Sequence, residues 1–92
     1  MQVTATIVRV LETKVVGTAG FETREAHVKT EEQYPQFLCI QFVQGKVVEL
    51  DKFSPGQKVK IDINLRGREW ITPSGETSVF NTIQGWRIEE VK

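Results

Sequence analysis

The segment QKVKIDINLRGREW, residues 57–70, is the clearest strand in the chain. Val59, Ile61, Ile63 and Leu65 share one parity, and Lys58, Lys60, Asp62, Asn64 and Arg66 share the other. Successive side chains of a strand point to opposite faces, so a period of two predicts a half-buried strand with an apolar core face and a cationic outer face. A TPSGET turn (72–77) follows, and SVFNTIQGWRIEEV (78–91) reads as a further strand. There Ile83, Trp86 and Ile88 are expected to reach the core, with a phase shift near Gly85.

The remaining segments also have strand character. Residues 2–16 place Val3, Ala5 and Ile7 on one face and then change phase at Val8 and Val10. A bulge or sharp coil between Ala5 and Val8 would reconcile the two phases. Gly17 and Gly20 supply a turn, and residues 21–32 continue as a polar second strand. YPQFLCIQFV (34–43) has a proline suited to the first position of a strand, then sets Leu38, Ile40 and Phe42 against Phe37, Cys39 and Gln41. The first set is assigned to the core. Residues 44–57 break the alternation, and Val47, Val48, Leu50 and Phe53 fit one side of a short helix or irregular turn before Ser54-Pro55-Gly56. The expected fold is therefore all-β, a five-stranded OB-fold Greek-key barrel with a short helix or turn between strands 3 and 4.

Ninety-two residues suit one small domain, so residues 1–92 are expected to form a single unit. At 39% hydrophobic and 26% charged the chain has the composition of a globular protein, and no apolar run approaches the roughly 18 residues of a membrane span. No basic leader with an apolar stretch opens the sequence, which points to the cytoplasm. One cysteine, Cys39, and one histidine, His27, offer neither an intrachain disulfide nor the ligand set of a structural zinc site, so no metal and no cofactor are expected. Twelve basic and twelve acidic residues cancel. Their distribution does not: residues 52–68 hold Lys52, Lys58, Lys60, Arg66 and Arg68 against the single acid Asp62.

The run from FLCIQF through SPGQKVKIDINLRGREW to FNTIQGWRIEEV resembles the bacterial single-stranded DNA-binding proteins and their shorter relatives. These include primosomal replication protein B and, most similar, a small bacterial OB-domain family of unknown function. The likeness rests on the apolar-aromatic end of the third strand, on Gly56-Gln57-Lys58-Val59 opening the fourth, and on the L-x-x-R-x-W pattern of Leu65, Arg68 and Trp70. It implies an OB-fold that binds single-stranded DNA, or RNA, without catalysis, in partnership with replication or recombination proteins. By position it places Arg66, Arg68 and Trp70 at the start of the β4–β5 loop of that fold, with Phe80 on the loop's far side. The chain shows no acidic tail after its last strand, so recruitment of partners through a tail is not expected.

Each candidate has a plain reading beside its functional one. Trp70, next to Arg66 and Arg68, is either a stacking platform with phosphate contacts or a clamp at the hairpin base. Phe37 lies opposite the core set of its strand, on the face that OB-folds offer to oligonucleotides, where an oligomer contact explains it equally well. Lys58 and Lys60 are either phosphate contacts or ordinary solvated residues. Phe21 and Tyr34 either extend the platform or staple loops; Phe42 and Phe53 belong in the core. Arg24 and Lys29 sit in a segment of mixed charge and are ambiguous. Cys39 reads as a half-buried small residue, and His27 as a surface or strand histidine without a partner.

No glycine-rich phosphate loop, paired catalytic carboxylates or metal-ligand spacing appears, so catalysis is not expected. Two functions follow. In the first, Arg66, Arg68, Lys58 and Lys60 contact phosphates while Trp70, Phe80 and Phe37 stack on bases. In the second, the domain is an interaction or assembly module without nucleic-acid binding. Either way a homo-oligomer, a dimer or higher, is expected, because a small barrel leaves edges and the Phe37/Cys39 face exposed.

Overall fold

The computed structural model describes residues 1–91. Strands β1 (Gln2–Val10), β2 (Lys14–Val16), β3 (Phe21–Thr30) and β4 (Phe37–Val43) precede a 3₁₀ segment, Gln44–Lys52, and then β5 (Lys58–Ile71) and β6 (Thr77–Glu90). They run in the order β1-β5-β6-β4-β3-β2, and an additional β1–β3 pairing joins the sheet into a ring. That ring, with its helical segment between the third long strand and the fourth, is an OB-fold.

One departure from the sequence expectation concerns the strands. The first segment is broken: β1 ends at Val10, and the short β2 pairs with β3 outside the ring. The phase change expected between Ala5 and Val8 is present as a register shift between Ile7 and Arg9, which lets β1 pair with β5 and then turn onto β3. Such a shift increases local twist, which is what closing a small barrel requires.

The core is formed by Ala5 and Ile7 from β1, Ala26 and Val28 from β3, Ile40 and Phe42 from β4, Val59, Ile61 and Ile63 from β5, and Ile88 from β6. Val47 and Leu50 of the 3₁₀ segment close one end, with Phe53 packed beside them, whereas Val48 of the same expected apolar face is exposed. Three residues per turn cannot align neighbouring Val47 and Val48 on one side.

Arg24, ambiguous in sequence, is structural. Its Nε donates to the Leu11 carbonyl at 2.8 Å, and its Nη1 donates to the Val47 carbonyl at 3.2 Å and to Asp51 Oδ1 at 2.6 Å. One half-buried guanidinium thus ties the end of β1 and the 3₁₀ segment to β3.

Trp86 is not a core residue. The β5–β6 register slips between Asp62, opposite Arg87, and Ile63, opposite Gly85, so Trp86 is the extra residue of a bulge and is 45% exposed. Gly85 occupies the inward position instead. A Cβ there would lie 2.5 Å from Phe42 Cζ and 2.9 Å from Ile40 Cγ2, so the Phe42 ring fills the space that a side chain would need.

Leu65 is also exposed, at 66%, although it has the core parity of β5. The strand outruns the barrel: β5 and β6 pair from Val59–Glu90 out to Ile71–Thr77, and beyond Ile83, which still packs against the core, the inward residues Ile71 and Val79 are exposed.

Candidate nucleic-acid interface

The distal half of the β5–β6 hairpin is a two-stranded ribbon with two distinct sides. Cross-strand partners share a side. Arg66 opposite Thr82, Arg68 opposite Phe80 and Trp70 opposite Ser78 therefore form one surface, while Leu65, Glu69 and Ile71 form the other with Ile83, Val79 and Thr77. The tip is fixed by its own chemistry. Gly75 adopts φ +88, which an L side chain resists, and donates from its N–H to the Thr72 carbonyl at 2.9 Å. Thr72 N–H then donates to the Glu76 carbonyl at 2.8 Å, and Thr72 Oγ1 accepts from Glu76 N–H at 3.1 Å.

Where the outer side of the ribbon meets the barrel, a groove of about 580 Å³ runs between the hairpin and the mouths of β3 and β4. Arg66, Arg68 and Phe80 line it from the hairpin, Phe21 and Gln41 from β3 and β4, and Thr82 and Gln84 from its floor. Among the described residues, two guanidinium groups and no carboxylate line it. Arg66 Nε donates to Gln84 Oε1 at 2.8 Å, which fixes the plane of the guanidinium and leaves its two terminal nitrogens free to donate outward. Phe80 is 62% exposed and faces Arg68 across the ribbon; Trp70, 57% exposed, lies one pair further toward the tip on the same side.

The structure brings together Arg66, Arg68 and Phe80, with Trp70 continuing their surface. It does not bring the other three candidates there. Phe37 is not among the residues lining the groove; it is 69% exposed, with Lys29 Nζ 5.7 Å from its ring centre. A smaller hollow, lined by Glu25, Phe37, Cys39, Gln41 and Thr82 among others, adjoins the groove through Gln41 and Thr82. Lys58 and Lys60 lie at the start of β5, six or more residues from Arg66 and so roughly 20 Å away along an extended strand. There Lys58 pairs with Glu31 at 3.9 Å, and Lys60 stands opposite Glu89.

The sequence reads Phe21 as either an extension of the stacking platform or a loop staple. The neighbour order β6-β4-β3, which brings the start of β3 near β6 through β4, sets it in the groove.

Cys39, expected to be half-buried, is exposed, and its thiol donates to Glu25 Oε2 at 3.2 Å. Desolvation by burial, then the hydrogen bond and charge of Glu25, push its pKa up to about 11 against a small opposing effect of Lys14. His27 is not partnerless: its Nδ1 lies 2.7 Å from Arg9 Nη1. Glu25, His27 and Cys39 form a cluster whose donor atoms lie within 4.8 Å of one another.

A profile described as a domain of unknown function, DUF3127, matches residues 2–89. The chain belongs to the DUF3127 family. Comparison with curated protein sequences gives no match. Solved structures similar to this DUF3127 chain include PriB from Ralstonia solanacearum, with a TM-score of 0.74 and 13% identity over 99% of this chain and 96% of that one. The mitochondrial single-stranded DNA-binding protein Rim1 of S. cerevisiae aligns with a TM-score of 0.71 and 12% identity, covering 100% and 93% of the two chains. The SSB domain of a Synechococcus protein gives 0.71 and 17% identity over 96% and 90%. At these identities the likeness is one of fold. The OB-fold of the DUF3127 chain is that of single-stranded DNA-binding domains, and among the described residues no helix is long and apolar enough to cross a membrane.

Proposed function

We propose that this chain binds single-stranded nucleic acid, DNA or RNA, without catalysis, along the outer side of the β5–β6 hairpin. The observation that carries the reading is the groove in which Arg66, Arg68 and Phe80 converge without a carboxylate among its lining. The arginines contact phosphates, Phe80 and Trp70 stack on bases, and Phe21 adds a ring from the barrel side. Gln41, Thr82 and Gln84 offer both donors and acceptors to base edges. Phe37 extends the track through the adjoining hollow, and Lys58 and Lys60 act on the strand only through the longer-range field. The fold shared with Rim1 and an SSB domain supports the same reading.

Magnitudes set its strength. A stack is worth about 1–3 kcal/mol, so two or three give several kcal/mol before the costs of association and strand ordering. With zero net charge, one chain binds at about micromolar or weaker. Tighter binding then comes from two or more chains on one strand, where the second contact forms at high effective concentration.

The ribbon's other side favours a second role beside the first. Leu65, Ile71 and Val79 are each more than 60% exposed there, and an apolar sheet face of this kind suits assembly with another copy into a homodimer or higher oligomer. Titration of fluorescently labelled oligo-dT at low and moderate salt, with an equal-length duplex beside it, tests the binding. Salt-sensitive preference for the single strand is expected. No binding even at low salt would leave the assembly role alone, and sedimentation of the free protein tests that separately.

A further inference from the structure

The outer face of β3 and β4 carries a grouping that the groove does not use. Glu25 and His27 are two residues apart on β3 and project from the same side of the sheet, and Cys39 on β4 stands directly across from His27. Their donor atoms, a carboxylate oxygen, an imidazole nitrogen and a sulfur, lie within 4.8 Å of one another. In tetrahedral zinc sites with bonds of about 2.0–2.3 Å, neighbouring donors are about 3.3–3.8 Å apart. The Cys39–Glu25 separation of 3.2 Å is already at that edge length, and rotation of the imidazole closes the rest.

We propose that Glu25, His27 and Cys39 form a three-ligand site for a zinc-class divalent cation, with solvent as the fourth ligand. Sulfur and imidazole donors select zinc, cobalt or copper over magnesium and calcium. Glu25 and the Cys39 thiolate together balance the charge of the ion; the thiol proton leaves to solvent as the metal–sulfur bond forms. The platform is rigid, since β3 and β4 pair continuously from Thr23–Val43 to Lys29–Phe37, with Ala26, Val28 and Ile40 buried beneath.

Arg9 opposes the ion. A guanidinium only donates, so His27 Nδ1 accepts from Arg9 and Nε2 carries the ring proton. A metal on Nδ1 displaces Arg9 directly. A metal on Nε2 moves the proton to Nδ1, where it faces the Arg9 donor. Either route breaks the Arg9–His27 contact, so Arg9 is a competitor for the site.

Cobalt(II) titration of the full chain is the test, because a cobalt–thiolate bond gives a charge-transfer band in the near ultraviolet. The expected result is one cobalt per chain with that band, displaced by zinc. Cys39→Ser abolishes the band, His27→Ala and Glu25→Gln each weaken cobalt binding about tenfold or more, and Arg9→Gln strengthens it. All four positions are on the barrel's outer face, and circular dichroism verifies that each variant is folded. Absence of the band, one metal per two chains, or an affinity indifferent to both His27→Ala and Glu25→Gln would overturn the site.

Discussion

The double variant Arg66→Ala with Arg68→Ala separates phosphate contact from base stacking. Arg66 Nε is engaged by Gln84, and Arg68 lines the same groove opposite Phe80; under the proposed function each neutralises one phosphate. On a single strand, each neutralised phosphate contributes about 0.7 to the slope of log affinity against log salt. Removing both lowers the slope by about 1.4, and over a fourfold rise in salt that amounts to about sevenfold less loss of affinity than in the parent. Trp70→Ala removes a ring without a charge; it costs about 1–3 kcal/mol at every salt concentration and leaves the slope unchanged. Both variants and the parent are titrated against oligo-dT at three salt concentrations by fluorescence anisotropy. A double variant with the parental slope, or a Trp70→Ala variant that flattens it, would refute the assignment of charge to the arginines and stacking to the tryptophan.

Gly85→Ala forces a Cβ to 2.5 Å from the fully buried Phe42 ring and costs about 1–3 kcal/mol by urea unfolding; a neutral result would mean that β6 can move off β4 freely. Arg24→Ala leaves the Leu11 and Val47 carbonyls without their donor and costs about 1.5–3 kcal/mol in the same assay, while Lys29→Ala changes stability little. In the metal-free protein the Cys39 pKa is raised, so the neutral thiol persists to high pH. Alkylation by iodoacetamide at pH 8 is then about a hundredfold slower than for the unfolded chain and accelerates as pH rises toward 11. An unfolded-like rate at pH 8 would show that neither burial nor Glu25 holds the thiol proton.

Local period made much of the fold legible. The alternation from Val59 to Ile63 fixed the inward face of β5, and the phase changes near Ile7 and Gly85 both appear as register shifts. What period could not supply was where the barrel stops. Leu65 has the right parity and still faces solvent, because burial depends on what lies across from a residue. Trp86 shows the same limit. Hydrophobicity favoured tryptophan over glycine for the inward position, whereas the volume of Phe42 on another strand decided it. The common parity of Arg66, Arg68 and Trp70 was readable at once. Phe80 as the partner of Arg68, Phe21 as the far wall of the groove, and the meeting of Glu25, His27 and Cys39 each required a strand register that a single sequence leaves open.

Hairpin and barrel divide one pair of strands between two tasks. The half nearest the chain's core, Val59 to Ile63 against Gly85 to Glu90, is held by packing and cannot tolerate change in volume. The half beyond it keeps the same alternation but loses the core, so the side that was inward becomes the exposed row Leu65, Ile71 and Val79, and the outer side carries Arg66, Arg68, Trp70 and Phe80. A ribbon this long and bare is marginal by itself in water. Covering its apolar side with a second copy would stiffen it and, because the two sides alternate residue by residue, would leave the cationic, aromatic side free. Under the proposed function, assembly and strand binding would support each other without sharing a residue: an oligomer would order the hairpin, and a strand reaching two hairpins would convert weak single contacts into a tighter joint one.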